Sequence, residues 1–330
     1  MTDANTPDAA PQTSRPETNL DALPIDEAAQ VSRDVIANVE NVIVGHHDEI
    51  EHVVTTVLAR GHVLLEDVPG VGKTMLARAI AASIDCSFKR VQFTPDLLPS
   101  DITGVNVFNQ KTREFDFQEG PVFANMVLGD EINRAPPKTQ SALLEAMEEE
   151  QVTIDGTTRK LPQPFTVIAT QNSVEPNRTY ELPLAEVDRF MKKLHLGYPN
   201  QEEESEMLAR VVGHHPIESL EPVTDIETIR RARETVAAVT VKQAVRDYGT
   251  RLSQYTREHA KLGVSPRGTI ALFRAAQARA VLEGRDYVIP EDVQVEAPRV
   301  LSHRIRLEAS GPRDQGVQVV EEALENVRVE

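Results

Sequence analysis

Leu64-Leu65-Glu66-Asp67-Val68-Pro69-Gly70-Val71-Gly72-Lys73-Thr74 is the stretch whose reading decides the fold. Val63 to Leu65 form a short apolar run of the kind that makes a buried strand. A loop with two glycines follows, and then Met75, Leu76, Ala79, Ile80 and Ile84 recur at helical spacing. The order is strand, phosphate loop, helix. Backbone N–H groups of such a loop converge on one concavity, and the helix dipole adds positive charge there. Gly70 and Gly72 let the backbone come close to a phosphate, Lys73 reaches its oxygens, and the Thr74 hydroxyl can hold Mg²⁺. The segment Pro69, Gly70, Val71, Gly72, Lys73, Thr74 and Met75 is therefore read as binding a nucleoside triphosphate. One position departs from G-x-x-x-x-G-K-[ST], because Asp67 stands where the first glycine falls.

A second half of a nucleotide site lies downstream. Met126-Val127-Leu128-Gly129 is an apolar run that ends in Asp130-Glu131. A carboxylate at a strand's C-terminal end suits Mg²⁺ bound through water, and a second one suits activation of the attacking water. Asp130 and Glu131 take those roles. Phe165 to Thr170 reads as another buried strand, ending at Gln171-Asn172. The Asn172 amide either hydrogen-bonds the attacking water or γ-phosphate, or merely caps the strand.

The remaining chain is organised around these strands. Residues 1 to about 24 carry Pro7, Pro11, Pro16 and Pro24 with little apolar content and read as a disordered tail. Helices are expected over about 26–40 and 48–59. The intervening turn with Val44 and Gly45 either packs on an adenine base or only joins the helices. Lys89 to Phe93 reads as a strand. Val105 to Phe108 and Glu114 to Phe117 alternate as a hairpin, which either reaches a partner or covers an edge. Helix 139–150 and a hairpin turning at Asp155-Gly156 follow. Beyond about residue 200 the pattern is helical. Ser265-Pro266-Arg267 opens one helix, with Ser as cap and Pro in the first turn. Arg267 then sits at a positive helix end and calls for a counter-anion, either a phosphate or a nearby acid. A last helix is expected from about Pro290.

Composition narrows the class. The net charge of −17 disfavours nucleic acid as a partner. A single cysteine, Cys86, rules out a disulfide framework and fits a reducing, cytoplasmic setting. No apolar run approaches a membrane span. The pairs His46-His47 and His214-His215 lack metal-ligand spacing, so no zinc site is expected.

Gly120-Pro121-Val122-Phe123-Ala124-Asn125, Asp130-Glu131-Ile132-Asn133-Arg134-Ala135, Ala169-Thr170-Gln171-Asn172 and Leu184-Ala185-Glu186-Val187-Asp188-Arg189-Phe190 closely resemble the MoxR family of AAA+ ATPases over about residues 25–310. The resemblance implies an α/β P-loop core with a five-stranded parallel sheet over 25–199 and a helical lid over 200–330. It implies a helix-2 insert at 94–118 and a ring of identical subunits, usually a hexamer. It makes Asn172 the sensor 1 residue, Arg189 the arginine finger, with Arg134 as second candidate, and Arg267 the sensor 2 residue. ATP would lie between phosphate loop and lid, with Mg²⁺. The implied activity is ATP hydrolysis driving remodelling or assembly of a protein client, in this family often one with a von Willebrand factor A domain. A chelatase-type motor subunit, a nucleic-acid motor and a non-hydrolysing scaffold are the alternatives.

Overall fold

The computed structural model describes residues 21–68, 70–172, 180–211, 216–307 and 315–329. Pro69, residues 1–20 of the tail, His214 and His215 lie outside the described residues. The first two helices, α1 (Ile25–Glu40) and α2 (His47–Leu58), bury Val35, Ile36, Val39, Ile50, Val53 and Val57 on facing sides. Strand β1 (Val63–Asp67) feeds the phosphate loop and α3 (Lys73–Ser83). Then come β2 (Phe88–Gln92), the short α4 (Pro99–Thr103), and the hairpin β3 (Gly104–Asn109) and β4 (Glu114–Glu119). Strand β5 (Met126–Asp130), helix α5 (Pro137–Glu149), a hairpin of β6 (Gln151–Ile154) and β7 (Thr157–Lys160), and β8 (Thr166–Asn172) complete most of the core. After α6 (Leu184–Val187), β9 (Lys192–Leu194) enters the sheet.

The sheet runs β2-β5-β8-β1-β9, and its paired strands are all parallel. Every residue of β5 is buried, as expected of a strand covered on both faces. Parallel order brings the C-terminal ends of β1, β5 and β8 to one edge, which is where a ligand crevice forms in such sheets. The β1–β8 register sets Asp67 beside Asn172. Asp67 is thus the last paired residue of an extended strand. That backbone needs no glycine, which accounts for the departure from the motif.

Helices α7 (Gln201–Val211), α8 (Ile226–Ala238), α9 (Gln243–His259), α10 (Pro266–Leu282) and α11 (Pro290–Leu301) form the C-terminal region. A further helix, α12 (Gln315–Asn326), follows the last one expected from the sequence, burying Val319, Val320 and Ala323. Helices α1 to α3 and α8 to α12 share one apolar core against the sheet, and a second core with α5 fills its other side. The lid is also tied down by buried polar groups. Lys192 of β9 and Glu296 of α11 are wholly buried and pair at 2.7 Å, and Arg279 of α10 joins Glu296 at 3.3 Å. Burial pulls the Lys192 amine down to about 8, despite Glu296 beside it. Burial alone would raise the Glu296 carboxyl, but the Lys192 cation holds it well below the usual range. Leu23 is buried at 3% exposure, and its carbonyl accepts from Thr235 Oγ1, so ordered packing starts before residue 24. Burial pushes the Cys86 thiol up to about 12, which favours the protonated thiol over the thiolate.

The β3–β4 hairpin stands apart from both cores. Phe108 and Phe115 stack edge-to-face at 5.3 Å yet are 50% and 69% exposed. Near its base, Phe117 meets Phe123, and Arg159 lies 4.1 Å over its ring.

Candidate active site

The phosphate cleft is built at the sheet edge. Gly70 and Gly72 take φ of 89° and 88°, values that glycine adopts without a Cβ penalty. Gly72 ends the loop as the N-cap of α3, so Lys73, Thr74 and Met75 form the first turn of that helix. All three line a cleft of about 320 Å³ together with Gly70, Gly72, Arg90, Asp130, Glu131 and Asn172. Lys73 Nζ donates to the Val68 carbonyl at 3.1 Å, which folds the ammonium back across the loop. Val71 packs its side chain on the first core instead.

The two acids are held differently. Asp130 Oδ2 accepts from Arg90 Nη2 at 2.6 Å and Nε at 3.1 Å, while Oδ1 accepts from Thr170 Oγ1 at 2.7 Å. Glu131 has φ of 54°, a left-handed backbone that turns the chain sharply off β5 and costs about 1–3 kcal/mol. Its N–H donates to the same Thr170 Oγ1 at 2.8 Å. Thr170 therefore locks both acids to β8. Glu131 Oε2 accepts from Arg134 Nη1 at 2.7 Å and from Gln92 Nε2 at 3.0 Å. Both bonds fall on one oxygen, which fixes the carboxylate and keeps the other for a water. Arg134, the second candidate for the arginine finger, pairs in this chain with Glu131. Arg90, Gln92 and Thr170 escape the sequence reading: Arg90 and Gln92 flank the buried Val91 of β2, and Thr170 lies in the buried run of β8.

The cleft fits a magnesium nucleotide. Thr74 and Asp130 offer the hard oxygen donors that Mg²⁺ prefers, and the loop offers backbone N–H groups and a lysine for phosphate. Val44 and Gly45 sit in the α1–α2 turn, outside the lining of this cleft. Gly45 takes φ of 72°, and a Cβ there would meet the Glu203 carboxylate of α7 at 2.7 Å.

Arg189 and Arg267 lie elsewhere. They line a second, larger cleft of about 730 Å³ with Arg60, His62, Glu148, Asp188, Arg274 and Arg304 among its walls. Arg189 Nη2 pairs with Glu148 Oε2 at 3.2 Å, and Arg267 Nη2 pairs with Glu148 Oε1. The counter-anion that the helix end called for is an acid of the same chain. Ser265 Oγ does cap α10, accepting from Gly268 N at 3.2 Å. No described lid residue lines the phosphate cleft, and Arg267 lies in the second cleft beside Glu148.

A parallel five-stranded sheet with a glycine loop, paired acids at its edge and a helical lid defines an AAA+ P-loop ATPase. Comparison with known proteins agrees. Residues 62–192 match the ATPase family associated with various cellular activities (AAA), and residues 252–324 match the AAA lid domain. The protein YeaC of Bacillus subtilis is 52% identical over 89% of this chain and 93% of its own. Chaperone MoxR1 of Mycobacterium tuberculosis is 43% identical over 82% of this chain and 74% of its own. A crystal structure of a Cytophaga hutchinsonii protein superposes with a TM-score of 0.85 at 39% identity, covering 93% of this chain and 97% of the other. The chain belongs to the MoxR family of AAA+ ATPases.

Proposed function

We propose that the protein hydrolyses ATP in a ring of identical subunits and uses the cycle to remodel a protein client. The observation that carries this reading is the separation of the two clefts. One holds a phosphate loop and acids; the other holds Arg189 and Arg267 with no phosphate loop beside them. Each is half of a phosphoryl-transfer site. Stacking subunits in a closed ring lets the arginine cleft of one meet the phosphate cleft of the next.

In this reading Lys73 and the loop N–H groups bind the β- and γ-phosphates. Thr74 directly and Asp130 through water would hold Mg²⁺, which neutralises charge on those phosphates when bound. Glu131 takes a proton from the water that attacks the γ-phosphorus, and Asn172 orients that water. The bond to the β-phosphate oxygen breaks, releasing ADP and phosphate. Val44 and Gly45 face the base. The exposed Phe108–Phe115 pair is the surface offered to a client, and the relative named Chaperone MoxR1 supports a chaperone-like role. A client with a von Willebrand factor A domain fits the family. Among the described residues no helix is long and apolar enough to cross a membrane, which suits a cytoplasmic motor.

The test compares two variants by ATP binding and turnover. Glu131→Gln keeps ATP affinity and loses about 10²–10⁴ in rate, because the amide cannot take a proton. Lys73→Ala loses affinity itself. Wild-type turnover in Glu131→Gln contradicts the assignment.

A further inference from the structure

We infer that Glu148 is a positioning residue that aims Arg189 and Arg267 together at the phosphate of a neighbouring subunit; this rests on the reading that the site is completed between subunits. The bases of the two arginines are fixed first. Arg304 is buried at 3% exposure and reaches under the strand entry, donating from Nη2 to the carbonyls of Asp188 and Phe190 at 2.9 and 2.7 Å. Those carbonyls flank Arg189. The Asp188 carboxylate accepts from Arg304 Nε at 2.6 Å and from Ser265 Oγ at 3.0 Å. Ser265 caps the helix whose first turn carries Arg267. Gly268 lets that turn lie on Arg304, since a Cβ there would come within 2.6 Å of Arg304 Cδ. So the chain beside Arg189 and the helix start beside Arg267 are bolted to one buried guanidinium.

Among the described residues, the heads of both arginines pair with Glu148. It stands exposed near the end of α5 and gives one carboxylate oxygen to each guanidinium. Two like charges converging in a partly exposed cleft repel, and one shared carboxylate offsets that repulsion. Without it, long side chains at such exposure have no reason to share one direction. The pair remains net positive. Arg189 Nε is shielded from solvent, so an incoming anion would meet the terminal Nη groups of the partly exposed guanidinium. Arg274 adds a further cation to the same wall.

The experiment uses full-length variants. Glu148→Ala lowers kcat by about 10²-fold, the scale for a misplaced catalytic group, and leaves the KM for ATP and the melting temperature unchanged. Glu148→Gln, which keeps the shape without the charge, is also defective, and Glu148→Asp recovers part of the rate. Location is then read by co-expressing differently tagged variants and purifying assemblies that carry both tags. Glu148→Ala with Glu131→Gln regains ATPase, because intact halves meet at some interfaces. Glu148→Ala with Arg189→Ala stays inactive, because both lesions damage the same half. Wild-type kcat in Glu148→Ala, or recovered activity with Arg189→Ala, overturns the role of Glu148. Failure of Arg189→Ala with Glu131→Gln to recover instead overturns the trans reading beneath it.

Discussion

The phosphate cleft and the arginine cleft are made from one chain by opposite routes. The first is assembled from strand ends and the helix turn that follows β1. Lys73 and Thr74 open α3, and Asp130 and Asn172 end β5 and β8, so neighbouring parallel strands carry them to one edge. The second joins α5, the loop after α6, and α10 through Glu148, Arg189, Ser265 and Arg267. It therefore depends on the lid being docked against the core. The buried Lys192–Glu296 pair and Arg279 make that dock an electrostatic lock as well as an apolar one. The lesson is mechanical. The lid is tied to its own core, with Arg267 beside Glu148 in the cleft away from the phosphate loop.

The largest effect that would sharpen this contrast comes from the arginine cleft. Arg189→Ala should lose about 10³–10⁵ in turnover, the scale of an arginine finger, while binding ATP in its own cleft as tightly as wild type. Equilibrium titration with a fluorescent ATP analogue and steady-state turnover separate the two. Weakened binding would place Arg189 at its own nucleotide and erase the contrast.

A smaller effect concerns stability in acid. His62 lies in the wall of the arginine cleft, and burial lowers it to about 4. Nδ1 accepts from Val167 N at 2.9 Å and Nε2 bonds the Met147 carbonyl at 3.2 Å, so the folded ring is neutral with its proton on Nε2. His52 is lowered to about 4 as well, by burial and by the Lys192 cation. The unfolded chain takes up these protons near 6.5 and the folded chain does not. Stability is then full above about 6.5 and falls as pH drops toward 4, by at most about 3 kcal/mol for each histidine. Melting curves between pH 7 and 4 should show that slope, and His62→Gln should flatten it. An unchanged slope in His62→Gln would mean that the ring takes up its proton equally in the folded and the unfolded chain.

The same contrast sets what was legible in the sequence. The sheet edge is local chemistry. A glycine loop between a strand and a helix, and carboxylates after an apolar run, announce their roles without tertiary knowledge. The conflict at Asp67 resolves once it is seen as a strand residue. Thr170 is harder, because a threonine at the end of an apolar strand reads as β propensity, and only the β5–β8 register shows it beside Asp130 and Glu131. The arginine cleft is not legible at all as a unit. A helix-start arginine wants an anion, but nothing near Arg267 says that the anion is Glu148 rather than a phosphate. Strand β9 spans only Lys192–Leu194 and begins with a wholly buried lysine, which a hydropathy pattern rejects. Its partner Glu296 supplies the missing reason. Helix α12 repeats its apolar positions at 319, 320 and 323, a run too short to declare the lid surface it covers.

The central claim is that the two clefts complete each other only between subunits. Co-expressing Arg189→Ala with Glu131→Gln, and purifying assemblies that contain both, tests it most directly. Each variant alone is inactive, one for want of an arginine and the other for want of a base. Mixed assemblies contain interfaces where an intact Glu131 faces an intact Arg189, and the account predicts measurable ATPase there. Inactive mixed assemblies would contradict it.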